Sequence, residues 1–347
     1  MQRERNSSTL WTRPRVISGN FESVVKRMQR GITDRQCMCG IQEWIKHRDT
    51  GRKRKGDDMY TNADFINECL GIFRQTEGNT ADIPGIGEVL MYEEPLVGFA
   101  SAGDSIFETY RRKEVIGKNF MGPDEWLPGA KTVVSFFLPF TEDVRYSNRI
   151  KVSGGKYAKA DTDDISRTDP STEWLYARIE GQEFIGRYMA ALKQHFEDKG
   201  MRACVPALDE RFGLKIEFTA KGLWPDFHAD SKWSERHAAY ACGLGTFGLS
   251  RGLITEKGMA GRFASIIITE ELEPAERPYT GIDDYCIRCG ACVRNCPANA
   301  ISLEHGKNNI KCNRHVEKMK AKYAPRYGCG KCQVGVPCEF RNPGRRA

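Results

Sequence analysis

Apolar and polar positions change rhythm along the chain, and the changes mark its elements. Between Asn62 and Arg74 the residues Phe65, Ile66, Cys69, Leu70 and Phe73 recur at helical spacing, with Thr61 or Asn62 placed to cap the start. Pro95 to Ala100 reads as a buried strand. The segment from Leu127 to Pro139 reads as a turn followed by a β-branched and aromatic strand. Residues 151–172 are polar and rich in Gly, Ser and Asp, the composition of a long loop. The strongest amphipathic pattern runs from Glu173 to Lys199, with Gly200 as its stop. Met201 to Val205 predicts a strand, Glu235 to Cys242 another helix and Phe263 to Thr269 a core strand. Long helices mixed with strands predict an α/β or α+β domain built around one sheet.

Residues 1–58 keep no such rhythm. Their apolar pieces, Phe21 to Met28 and Ile41 to Ile45, are too sparse for a core, and the segment closes on Arg52, Lys53, Arg54 and Lys55. It reads as a basic, disordered arm; as a nucleic-acid-binding arm it would lack interleaved aromatics. Lys55 to Asp58, just ahead of Met59, is encodable by a purine-rich stretch like a bacterial ribosome-binding site, so Met59 is the expected native start. Three regions are expected: an arm over 1–58, an α/β cofactor or substrate domain over 59–275, and a cysteine-rich domain over 276–347.

Charge divides along similar lines. The formal total is +7, yet residues 1–58 carry +7, residues 281–347 carry +8 and the stretch between carries −8. An acidic middle is an awkward surface for tRNA. A hydrophobic content of 40% suffices for a core, and no stretch approaches the ~20 apolar residues that span a bilayer. The N-terminus shows no apolar secretory segment. A soluble, cytoplasmic protein is expected.

Cysteine supplies the candidate chemistry. Eight of the 13 cysteines fall between Cys286 and Cys338; the odd total argues against a disulfide framework, and the clustering argues for metal. Cys286, Cys289, Cys292 and Cys296, followed by Pro297, form the C-x2-C-x2-C-x3-C-P run of bacterial ferredoxins. In that run three thiolates wrap one corner of a [4Fe–4S] cube and the fourth reaches a second cluster. Zinc is the main rival, but it favours two separated C-x2-C pairs. A second run, Cys312, Cys329, Cys332 and Cys338, brings the ligand count to eight. With ligand exchange as in two-cluster ferredoxins, one cluster takes Cys286, Cys289, Cys292 and Cys338, and the other takes Cys296, Cys312, Cys329 and Cys332. The second run departs from the simple pattern, because Pro337 precedes Cys338 instead of following it. Each oxidised cluster carries about −2, which part of the local +8 would balance. The basic stretch Lys311 to Arg326 suits either an acidic partner or a solvated helix face.

Two motifs in the middle region are set aside. Gly243, Gly245 and Gly248 match G-x-G-x-x-G letter for letter. A dinucleotide fingerprint, however, follows a strand and opens a helix, whereas here a helix precedes it. The glycines then mark a helix end and a close backbone approach. Asp226 and His228 begin like the D-x-H-x-x-G signature of corrinoid proteins, but Ser231 replaces its glycine. A turn histidine is the simpler reading.

The block Glu235 to Gly248, then Leu253 to Thr255, Gly261 to Phe263 and Ile268 to Thr269, leads directly into the cysteine runs. Together with the strand after Leu127, it resembles the epoxyqueuosine reductases and their relatives, the reductive dehalogenases, over about residues 85–347. The resemblance implies a nitroreductase-like α/β core that holds cobalamin without a protein ligand to cobalt. It also implies a ferredoxin-like module with two [4Fe–4S] clusters, fed by an electron donor such as a ferredoxin or flavodoxin. The reaction implied is reductive removal of an oxygen or halogen substituent from a small molecule or a modified nucleoside. The corrin would then lie against Gly243, Leu244, Gly245, Thr246, Phe247 and Gly248. Asp230, five residues ahead of Glu235, falls near the family's proton donor, with Glu235 and Tyr240 as rivals. Two features depart from the family: its D-Y-H segment is absent, and Gly-Lys-Asn after the glycine-rich turn is replaced by Leu249, Ser250 and Arg251 following Gly248. A plain electron-transfer protein and a flavin-dependent reductase are the alternatives.

Overall fold

The computed structural model describes residues 60–150, 167–218 and 226–344. The expectations placed on residues 1–58, on Met59 as the start and on most of the 151–172 loop lie outside the described residues.

Helix α1 (Asn62–Gln75) begins where the apolar rhythm does. Thr61 accepts a hydrogen bond from the Asp64 amide at 3.2 Å while the Asp64 carboxylate accepts from the Thr61 amide at 3.0 Å, a reciprocal cap that satisfies two otherwise orphaned donors. A hairpin of β1 (Thr80–Ile83) and β2 (Gly87–Leu90) follows, then β3 (Leu96–Ser101), short helices α2 (Ile106–Thr109) and α3 (Pro123–Trp126), β4 (Thr132–Pro139) and α4 (Glu142–Ser147). Helix α5 (Thr172–Asp198) is the longest, capped at its start by Ser171 and ending just before Gly200. After it come β5 (Ala203–Cys204), the hairpin β6 (Leu214–Phe218) and β7 (Phe227–Ser231), helix α6 (Glu235–Ala241), the hairpin β8 (Gly245–Phe247) and β9 (Leu253–Thr255), and β10 (Gly261–Ile268). The cysteine-rich end holds α7 (Ala291–Arg294), β11 (Ile301–Ser302), β12 (Gly306–Lys307) and α8 (Asn309–Tyr323).

The central sheet has the order β3-β4-β10-β5, and every neighbouring pair is antiparallel. Of the two classes expected, the fold is therefore α+β. All eight residues of β4 are buried, because both faces of the sheet are covered. Val134, Phe136 and Leu138 point to one side, where Phe184, Tyr188 and Leu192 of α5 and Phe65 of α1 complete a core. Val133 and Phe137 point to the other, against Ala238, Ala239 and Cys242 of α6 and its flank. The strand expected over Met201–Val205 shrinks to two residues, because Pro206 opens a 3-10 turn. Among the described residues no helix is long and apolar enough to cross a membrane.

Candidate iron–sulfur centre and its surroundings

The eight cysteines of the two runs are free thiols, and their mutual electrostatics sort them into two groups. Burial and the nearby thiols of Cys332, Cys286 and Cys289 push Cys292 up to about 12. Burial and the thiols of Cys292, Cys286 and Cys289 push Cys338 up to about 12. Cys329 rises to about 12 through burial and through Cys332 and Cys312, and Cys332 rises through burial, Cys312 and Cys296. One group is thus Cys286, Cys289, Cys292 and Cys338; the other is Cys296, Cys312, Cys329 and Cys332. Ligand exchange between the runs would draw on these two sets. The groups abut, since Cys332 is the first neighbouring thiol to act on Cys292. Among the described residues no three His, Cys, Asp or Glu side chains form a set that could hold a single metal ion.

The first group lines one cavity, walled by Ile254, Met259 and Val336 and reached by Gly248 and Ser250. Its donor chemistry, four thiols in an apolar enclosure, fits a [4Fe–4S] cluster. Local geometry holds the thiols in place. The Ala300 amide donates to Cys296 Sγ at 3.3 Å, and the Met259 amide donates to the Cys338 carbonyl at 2.9 Å. Gly258 makes that second contact feasible: its φ is +77°, and a Cβ there would lie 2.4 Å from the Glu339 carbonyl oxygen.

Helix α4 clamps the second run to the core. Asn148 Nδ2 donates to the Cys329 carbonyl at 2.9 Å, and Lys331 Nζ donates to the Asn148 carbonyl at 2.9 Å. Glu339, 1% exposed, accepts from Arg149 Nη2 at 2.8 Å and Nε at 3.0 Å and from the Gly335 amide at 2.6 Å. Arg145 Nε lies 3.6 Å away. A buried carboxylate with this many donors ties the Cys332–Cys338 loop to the helix beneath it.

The glycine-rich turn is packed by the protein itself. A Cβ on Gly245 would stand 1.9 Å from the Ile254 carbonyl oxygen, so the close approach that requires glycine there is within the β8–β9 hairpin. Leu244 is buried, Thr246 accepts from the Tyr285 amide at 2.8 Å, and Phe247 packs on His237. Gly243 follows α6, and Gly248 reaches the cysteine cavity. His228 lies on β7, paired with Glu217, and not in the turn expected; its Nε2 bonds the Ile116 carbonyl oxygen.

Asp230 is buried on β7, where its carboxylate accepts from Asn119 Nδ2 at 2.6 Å and from the Asn119 amide at 3.2 Å. No hydrogen bond or ion pair among the described residues joins it to the cysteines or to the glycine-rich turn. Glu235, its rival, behaves otherwise. Ser265 Oγ donates to Glu235 Oε2 at 2.6 Å and accepts from Trp233 Nε1 at 2.9 Å, whereas Glu235 Oε1 is enclosed without a partner. Burial lifts its pKa to about 8 against the weaker opposing pull of Ser265 and Trp233, so it carries a proton at neutral pH. Burial and the adjacent Arg236 press His237 down to about 3. The sequence suggests a capping or salt-bridge glutamate beside Arg236; the buried proton follows from the burial of the carboxyl group in the folded core and has no local signal.

Arg178, Arg236 and Arg262 escape sequence reasoning altogether. They come from α5, α6 and β10: Arg262 Nη2 donates to the Arg178 carbonyl at 3.2 Å, and Arg262 lies within electrostatic reach of both Arg178 and Arg236. Their only trace in the sequence is the position of Arg236 and Arg262 inside the blocks that resemble the reductases.

Residues 279–302 match the family model for a 4Fe-4S binding domain. No curated protein matches the chain. Among solved structures the chain is similar to an epoxyqueuosine reductase, at 17% identity over 80% of this chain and 66% of that one, with a TM-score of 0.42. A second epoxyqueuosine reductase, solved with an epoxyqueuosine-modified tRNA-Tyr stem loop, gives 17% identity over 80% and 66%, with a TM-score of 0.43. A reductive dehalogenase gives 14% identity over 84% of this chain and 34% of that one, with a TM-score of 0.46. The chain thus spans just under two thirds of the reductases and about a third of the dehalogenase.

Proposed function

We propose that this protein is an iron–sulfur oxidoreductase. It would take up single electrons at the cysteine-rich end and use them, through a bound cobalamin, to remove an oxygen or halogen substituent reductively. The observation that carries the reading is the pair of abutting cysteine groups, the first of which has an exposed member, Cys289. Two [4Fe–4S] clusters held there would relay electrons one at a time, and cobalamin would supply the reducing metal.

The chain's own residues support both ends of such a path. Cys289 is the exposed member of the first group, and Ile282, Ile287 and Leu303 nearby are each more than half exposed. Arg294 Nη1 donates to the Cys289 carbonyl at 3.2 Å, and Arg288 Nη2 to the Leu303 carbonyl at 2.6 Å. An apolar spot with arginines beside it suits an acidic one-electron carrier such as a ferredoxin or flavodoxin. At the inner end, Cys332 lies within electrostatic reach of Arg236. Asp230 is the proposed proton donor to the leaving group. Its substrate would be a small molecule or a modified nucleoside; one similar structure was solved with a modified tRNA stem loop.

The deciding experiment is an absorption spectrum of the anaerobically reconstituted protein after incubation with hydroxocobalamin and gel filtration. Corrinoid bands that co-elute with the protein support the reading. Cluster absorption alone returns it to a plain electron-transfer protein, and flavin bands on the purified protein return it to a flavin reductase.

A further inference from the structure

Guanidinium groups gathered in a protein repel one another, and such a gathering persists where counter-charge arrives from outside the chain. Arg178 and Arg262, half-buried, and Arg236, exposed, form such a gathering at the margin of the core. None of the three pairs with a carboxylate among the described residues, and the Nε–H groups of Arg178 and Arg262 are enclosed with no acceptor. Arg178 lies over the Tyr327 ring at 4.7 Å, which adds a weak attraction but no negative charge. Arg236 donates to the Arg251 carbonyl at 2.9 Å, so a fourth arginine stands beside it; that one alone has an acidic partner, Asp226, at 3.2 Å.

Electrostatics agree with the geometry. Burial first, and Arg262 second, bring Arg178 down to about 10. Burial, Arg262 and Arg251 lower Arg236 in the same way. Yet the Arg236 residue keeps open solvent-accessible surface. That exposure leaves Arg236 open to an anion from solvent. Cys332 lies within electrostatic reach of Arg236.

We propose that Arg178, Arg236 and Arg262 form an oxyanion-binding cradle near Cys332, which takes a phosphate or carboxylate group. The planar donor forks of arginine suit such groups. Two sources carry that chemistry to this place: an anionic substrate, or the phosphodiester in the nucleotide tail of the proposed cobalamin. The inference rests on the proposed function only for the second source, and inorganic phosphate tests the cradle without any corrinoid.

The test titrates inorganic phosphate, and separately sulfate, into the anaerobically reconstituted full-length protein, against chloride at equal ionic strength. Calorimetry reads the binding. Saturable binding is expected, weakened about tenfold or more in Arg236→Gln and in Arg262→Gln and unchanged in Arg74→Gln, a surface residue paired with Glu94. Hydroxocobalamin and cobinamide, which lacks the nucleotide tail, then separate the sources. A loss confined to hydroxocobalamin in Arg236→Gln assigns the cradle to the tail; equal affinities of both corrinoids for that variant and the parent assign it to substrate. Absence of saturable oxyanion binding overturns the proposal. So does an unchanged phosphate affinity in Arg236→Gln and Arg262→Gln accompanied by a shifted cluster potential, which would make the arginines counter-charges to the cluster itself.

Discussion

Glu235→Gln should flatten the dependence of stability on pH above neutrality. In the fold Glu235 keeps its proton to about pH 8, whereas in an unfolded chain it releases it near 4.5. The folded state therefore binds the extra proton between those values, and stability falls as pH rises through the window. His237 acts in the opposite sense lower down, because its folded value near 3 lies below an unfolded value near 6.5. Between about 4.5 and 6.5 the two slopes oppose each other and largely cancel. From 6.5 to 8 Glu235 acts alone, at about 1.4 kcal/mol per pH unit, which makes a loss of about 2 kcal/mol over the window. A glutamine retains an acceptor for the Ser265 hydroxyl and has no proton to lose. The assay is anaerobic urea unfolding of the reconstituted protein at several pH values between 6.5 and 8, followed by tryptophan fluorescence, since Trp233 is hydrogen-bonded to the same serine. The parent midpoint should fall across the window and that of the variant should stay level. Parallel slopes in the two proteins would refute the buried proton.

Iron content follows from the two cysteine groups: about eight irons per chain after anaerobic reconstitution, and roughly half of that in Cys289→Ser; four in the parent would rule out a second cluster. Glu339→Ala removes the acceptor shared by Arg149, Arg145 and the Gly335 amide, a change worth about 3–5 kcal/mol when a buried pair loses one member. It should speed iron loss to a chelator, and a rate equal to the parent's would count against the clamp. Arg288→Glu together with Arg294→Glu should slow reduction by an acidic flavodoxin in stopped flow, most at low ionic strength; an unchanged rate would move the electron entry elsewhere. Asp230→Asn should cut turnover about 100-fold with clusters intact if Asp230 donates the proton, whereas a lowered Tm with normal turnover would leave it as an anchor for Asn119.

What could be read from the sequence was what repeats locally. The α1 cap at Thr61, the span of α5, and β3, β4 and β10 are all encoded in neighbouring residues, through apolar spacing and stop signals. The cysteine runs are legible for a related reason, since a cluster's ligand spacing is written in the chain. Pairing direction was not legible: nothing in the apolar run of β4 distinguishes a parallel from an antiparallel partner, and the sheet proved antiparallel throughout. The hairpins β1–β2 and β8–β9 were also missed. Gly245 suggested a ligand's approach because a sequence cannot show that Ile254 folds back onto it. The arginine gathering draws on residues up to 84 positions apart, and the charge of the acidic middle taken as a whole concealed it.

The interleaving of the cysteine groups bears on how the protein is made. Cys338 sits with Cys286, Cys289 and Cys292, while Cys296 sits with Cys312, Cys329 and Cys332. During synthesis the ferredoxin-like run would leave the ribosome long before either group had its fourth thiol. If both groups hold clusters, metal loading must wait for nearly the whole cysteine-rich segment. Met259 and Glu339 then seat Cys338 only on a core already folded around β10. Maturation would accordingly run from scaffold to cofactor, and a nascent chain stalled before Cys332 would offer assembly factors two incomplete sites and no stable cluster.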